Sequence, residues 1–272
     1  MSVQTAPARR THTETSAYRL NFGHALRSEW IKLATVRSTW WSIAITAVLT
    51  VGIGTLIAAS VPGDSGFPGI QAVVSPIQFT MLLAGILGAI AVTGEYSTGM
   101  IRSTLTANPI RGGVLAAKAT VLAVFMFVAS LVIFAVTAAI VTPILGGKGL
   151  GIDWSDFTGS IVPVLVASVT MAVFALIGVA FGYIIRNGAG AIAATVGLLF
   201  VLPVVVSMFG MAGDGWRWIM DLANYLPSAA AQNVILPQDD WGLTWQVASV
   251  TLAGWVVAGM LGAWAVLRNR DA

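Results

Sequence analysis

VSPIQFTMLLAGILGAIAVTGEYSTGMIRSTLTANPIRGG, residues 74–113, decides the fold. Its first half, 74–93, holds no Asp, Glu, Lys, Arg or His. About 20 apolar residues, each rising about 1.5 Å in a helix, cover the roughly 30 Å of a bilayer's hydrocarbon. The second half, 94–113, is polar and too short to span, and at residue 114 another apolar block begins. The stretch therefore reads as a crossing, a connection on one side, and the start of the return. Within the connection Met100, Ile101, Thr104 and Leu105 recur at helical spacing, and Asn108-Pro109 ends that run. It is either a short amphipathic helix offered to a soluble partner or an ordinary connecting turn.

Working outward, the same reading finds six spans: 40–60, 74–93, 114–141, 159–185, 189–210 and 244–267. The fold class expected is an all-α membrane protein. Charged residues are 9% of the chain and apolar residues 57%, against roughly 25% charge in ordinary soluble domains. Too few charges are present to wet a soluble surface, so lipid must be the solvent. Lys118 is the one charge inside a block, and its stem is long enough to carry the ammonium to the nearby interface. Pro76, Pro163 and Pro203 lie within spans and should kink or cap them. Gly178 and Gly182 form a GxxxG pair, assigned to packing within the chain.

With an even number of spans, twelve basic residues fall on one side: Arg9, Arg10, Arg19, Arg27, Lys32, Arg37, Arg102, Arg111, Lys118, Arg186, Arg268 and Arg270. Only Lys148 and Arg217 fall on the other, which instead gathers Asp64, Asp153, Asp156, Asp214, Asp221, Asp239 and Asp240. The positive-inside rule puts the first side, with both termini, in the cytoplasm. This scatter of basic residues between apolar blocks also argues against nucleic acid as a partner. Residues 1–17 read as a disordered cytoplasmic tail ahead of a six-helix transmembrane domain, 18–272. The leader is too long and the first apolar block too extended for a cleaved signal peptide.

Between tail and first span, Phe22, Leu26, Trp30, Leu33, Val36 and Trp40 keep the helical period. Residues 18–39 should form an amphipathic helix along the interface. Glu29 interrupts the apolar arc: it is either an interfacial carboxylate paired with Lys32 at i+3, or a contact to another cytoplasmic element. On the other side the longest connection, 211–243, carries Trp216, Trp218 and Trp241, with Trp245 just beyond it. It reads as short interfacial or re-entrant helices, or as an ordered loop anchored by tryptophans.

Catalytic chemistry finds no footing. There are no cysteines, and both histidines, His12 and His24, precede the first span. No HExxH, GxSxG or buried carboxylate pair occurs, so no catalytic or metal-binding residue is assigned. The nearest approach to a phosphate loop, Gly146-Gly147-Lys148-Gly149, lacks the leading glycine and the following Ser/Thr. Nor does any span place an ionisable residue at mid-membrane, as ion-coupled carriers commonly do.

Two stretches resemble one family. SEWIKLATVRSTWW, 28–41, and GEYSTGMIRSTLTANPIRGG, 94–113, are similar to segments of ABC-2 type permease subunits of ABC transporters. The segment DLANYLPSAAAQN, 221–233, looks like that family's semi-helical stretch before the last span. The resemblance implies an elbow helix before span one, here carrying Glu29, Trp30 and Lys32. It also implies a coupling helix after span two, formed or flanked by Glu95, Tyr96, Gly99, Arg102 and Leu105. Further implied are an ATP-driven exporter without its own nucleotide site, a separate P-loop ATPase subunit carrying ATP and Mg, and a second permease, a copy of this chain. With the Ala, Gly and Val richness of bacterial coding, the expected location is a bacterial plasma membrane, with membrane lipid as the remaining partner. The rival readings are an ATP-independent channel or secondary carrier, and a non-transporting membrane scaffold or immunity protein.

Overall fold

The computed structural model describes residues 21–107, 110–209, 214–237 and 242–269. The expected tail, the Asn108-Pro109 stop, and Asp239, Asp240 and Trp241 lie outside them. Among the described residues all regular structure is helical, and six helices or helix pairs are long and apolar enough to cross a membrane.

Helix α1, Phe22–Thr35, begins where the Asn21 side chain accepts from the Gly23 N–H at 3.1 Å. The expected stripe ran unbroken to Trp40, but the backbone is extended at Val36 (φ −82°, ψ 120°) and α2, Arg37–Ser60, starts afresh. The Trp40 indole N–H reaches back across this corner to the Ala34 carbonyl at 2.8 Å. It thereby satisfies a group that the end of α1 leaves open. Trp30 and Trp40 both rest edge-on against Phe125, at 6.1 and 6.2 Å.

The second span is two pieces, α3, Gly69–Val74, and α4, Ile77–Ser97, separated by Ser75-Pro76. Pro76 marks the break rather than a kink within a helix. After α5, Met100–Ala107, comes α6, Arg111–Gly146, about 54 Å long at 1.5 Å per residue. That exceeds the hydrocarbon by several turns. A π-helical turn, Phe157–Ile161, leads into α7, Val162–Ile185, and another, Gly197–Val201, joins α8, Gly188–Val196, to α9, Leu202–Phe209. Each π turn ends two residues before a proline, Pro163 or Pro203. Proline supplies no N–H to the carbonyl four residues back, so the local bond pattern widens there. Two short helices, α10, Arg217–Ala223, and α11, Pro227–Ile235, precede α12, Trp245–Asn269. The described stretch 214–237 of the 211–243 connection is thus largely helical, and α11 tucks Ala230 and Ala231 against α12 and α7.

The centre of the bundle is α4 against α7, the most extensively packed pair. A side chain on Gly178 would run into the Gly85 carbonyl, and one on Gly88 into that of Ala175. The expected GxxxG pair does pack within the chain, and its second glycine, Gly182, lies against Val92. Such backbone approach gathers dispersion contacts that large residues would prevent. By contrast Val48, Leu56 and Val250 are 71%, 70% and 72% exposed. Apolar faces this wide on α2 and α12 suit lipid and not water.

Candidate functional site

At the end of the bundle where α1 and α5 lie, four charges from three helices meet. One turn of α1 places Glu29 and Lys32 on the inward face, three residues apart. The last turn of α4 supplies Glu95 and the second turn of α6 supplies Lys118. The Lys32 ammonium donates to Glu29 Oε1 at 2.7 Å, Glu95 Oε1 at 2.8 Å and Thr104 Oγ1 of α5 at 3.3 Å. Lys118 donates to Glu29 Oε2 at 2.6 Å, Glu95 Oε1 at 2.8 Å and the Ala91 carbonyl at 3.3 Å. Each ammonium has three protons, and all six are committed. The cluster is formally neutral.

Glu29, Glu95 and Lys118 are only 6%, 3% and 5% exposed. Taking each charge out of water costs several kcal/mol, so this burial is sustainable only because the charges alternate and share hydrogen bonds. Lys118 corrects the sequence expectation. Its ammonium does not extend to the interface but turns inward, because two carboxylates are fixed there. Glu29 pairs with Lys32 and also bridges to Lys118 of α6. For Lys32, burial disfavours the charge, but the hydrogen bonds and attraction of Glu29 and Glu95 outweigh it and hold the pKa above the ordinary 10.5. Among the described residues Glu95 Oε2 is buried without a partner. A cavity of about 360 Å³ opens onto all four cluster residues, and Leu87, Ile90, Val121 and Leu122 are among the apolar residues that line it.

The remaining sequence candidates are arranged around this core. Gly99, at φ +71°, ends α4 in the left-handed conformation that glycine adopts without strain, and turns the chain into α5. Leu105 packs against the core, whereas Arg102 is exposed and stands apart from the cluster. Trp30 faces outward on Phe125. Tyr96 joins a different group: its ring meets the edge of Tyr183 at 6.4 Å and lies 5.3 Å from the Arg186 guanidinium. Sequence reasoning missed Lys118, Thr104, Tyr183 and Arg186 as members of these groups. Only Lys118 carried a signal, as the lone charge inside an apolar block.

Two arginines lock the last helix to the same end. Arg186 donates to the Val266 carbonyl at 3.0 Å, and Arg111 to those of Leu267 and Arg268 at 2.7 and 3.2 Å. These carbonyls carry the negative end of the α12 dipole. At the opposite end Lys148 does the same for α2, donating to Ala58, Ala59 and Val61 carbonyls at 3.0, 2.6 and 2.8 Å. The lysine of the glycine-rich 146–149 run is therefore a helix cap, with its protons engaged. Among the described residues no group of three or more His, Cys, Asp or Glu could hold a metal ion.

The sequence profile described as ABC-2 family transporter protein matches residues 25–211, spanning α1 to α9 and the whole charge cluster. The chain belongs to this family. As an ABC-2 protein it is a multi-pass membrane component of an ABC transporter, a permease whose family associates with an ABC ATPase. The helices α10 to α12 lie beyond the matched stretch. No curated protein matches the chain.

Proposed function

We propose that this ABC-2 protein is the permease subunit of an ATP-driven exporter in a bacterial plasma membrane, with the α1/α5 end and both termini in the cytoplasm. In this reading α1 is the elbow helix and α5 the coupling helix, which docks on a separate P-loop ATPase. ATP and Mg stay on that partner. A second copy of the chain completes the path, with the apolar faces of α2, α9 and α12 shared between it and lipid.

One observation supports the coupling role most strongly. Thr104 of α5 touches a buried charge cluster that already joins α1, α4 and α6. A displacement of α5 by a partner therefore acts on three elements together, and one of them, α4, is half of the central α4–α7 pair. Met100, Arg102, Ser103 and Thr106 are exposed on α5 and open to such a partner. ATP binding would bias a two-state arrangement of the spans through these contacts.

The test is to purify the complex from the membrane and look for a co-eluting P-loop ATPase. Arg102→Ala should then lower permease-stimulated ATP hydrolysis by about fivefold or more, the lower bound of a typical coupling energy, with membrane insertion unchanged. A stable chain that carries no ATPase, or hydrolysis unaltered by the substitution, overturns the proposal.

A further inference from the structure

At the end opposite the charge cluster, a pocket of about 280 Å³ opens between the α3–α4 break and the α10–α11 hairpin. Five residues with uncharged polar side chains line it: Gln71, Ser75, Gln78, Asn224 and Gln232. None of the five makes a side-chain hydrogen bond among the described residues. Among the described residues no charged residue lines the pocket. A sixth polar side chain, the amide of Asn233, donates to the Ala229 carbonyl of its own helix at 3.1 Å and still offers its oxygen. Val74, Ile77, Ile235 and Leu236 form the apolar remainder.

Each carboxamide presents two donor protons and a carbonyl acceptor on one plane, and serine presents both functions on one atom. The wall thus offers donors and acceptors interleaved at neutral charge. Such a wall pairs poorly with an anion or a cation, since the described residues around it offer no counter-charge to offset the desolvation of either. It pairs well with neighbouring hydroxyls, which also donate and accept. The volume is just under the roughly 300–1,000 Å³ usual for ligand sites, so the occupant is one small ring and not an extended chain. A peptide backbone would want a strand edge to pair with. Here the neighbouring backbone is helical, and its bonds are made within the helices.

We propose that this pocket binds an uncharged, hydroxyl-rich group the size of a single sugar ring, held between the α3–α4 break and α11. The inference stands on the pocket alone and does not depend on the transport reading. Such a ring could arrive free in solution or as the head of a glycolipid, and both carry the same chemistry.

The full chain in phosphatidylcholine nanodiscs is exposed to a glucosyl diacylglycerol bearing a diazirine next to the sugar, and the labelled peptides are read by mass spectrometry. Labelling is expected within 71–78 and 224–236. It should fall about tenfold when the sugar is permethylated, the factor that a little over one net hydrogen bond is worth. Gln78→Leu with Gln232→Leu should produce a loss of similar size, while the apparent melting temperature stays unchanged. Displacement by excess methyl glucoside assigns the site to a free sugar, and persistence of the label assigns it to the lipid-borne one. The proposal is overturned by equal labelling from the permethylated probe, or by undiminished labelling of the double variant. Stronger labelling by a neutral glycine tripeptide on the same lipid would overturn it as well.

Discussion

Lys118 shows what a single residue can hide. Its partners, Glu29 and Glu95, lie 89 and 23 positions away in sequence. An apolar block with one lysine reads equally as a snorkelling side chain or a buried ion pair, and only tertiary packing decides. Glu29 was more legible, because it broke a helical stripe. Removing one partner of a buried charge group typically costs about 3–5 kcal/mol, since the others stay desolvated and uncompensated. Lys118→Met should therefore lower the apparent melting temperature in detergent sharply. Adding Glu29→Gln to Lys118→Met removes the surplus carboxylate and should recover part of the loss. A double variant no better than Lys118→Met would show that the charges do not act as one group. The pH dependence follows from Lys32. Its folded pKa lies above 10.5, so its contribution is fully present below that value and is lost as pH rises through the higher folded pKa. Trp30 fluorescence should report α1 docked at neutral pH and released only above about 10.5.

Among elements, the six crossings were readable because a bilayer demands about 20 apolar residues whatever the fold. The corner at Val36 and the α3–α4 break were not, since period and composition run on through both. The short α5 helix was visible as spacing, while its attachment through Thr104 was not. The α4–α7 contact was visible on one side only, as the Gly178/Gly182 pair; nothing in the pattern said which helix would fill the gap. Gly178→Val should destabilise by the upper end of the about 1–3 kcal/mol usual for overpacking, or more, because the obstacle is backbone and cannot rotate aside. Gly52→Ala on α2 meets nothing within 4 Å and should be neutral or slightly stabilising. Similar melting temperatures for the two variants would remove the glycine interlock as an organising contact. The lock on α12 makes a finer prediction. Arg111→Ala withdraws one of two guanidinium groups from its last turn, worth about 0.3–1 kcal/mol, so amide exchange over 266–269 should quicken about two- to fivefold.

For the molecule as a whole, the fold gathers most of the described basic residues at one end and the described aspartates at the other. Arg111 and Arg186 meet α12 at the end where Lys32 and Lys118 join Glu29 and Glu95. Asp64, Asp153 and Asp156 belong to the connections at the opposite end, near Lys148. The charge bias was read from the sequence as orientation, and in the structure the same residues also hold helices together. In the proposed function the α1/α5 end is the face that a soluble motor grips, so sidedness and coupling stand or fall together. The absence of cysteine makes the point directly measurable. Single cysteines at Asp64 and at Ser103 of α5, both exposed, would each be the chain's only thiol. A membrane-impermeant maleimide applied to intact cells should label Asp64→Cys at once and reach Ser103→Cys only after the membrane is opened. Labelling of Ser103→Cys from outside would invert the orientation, place α5 beyond the reach of any cytosolic ATPase, and leave the charge cluster with a purely structural role.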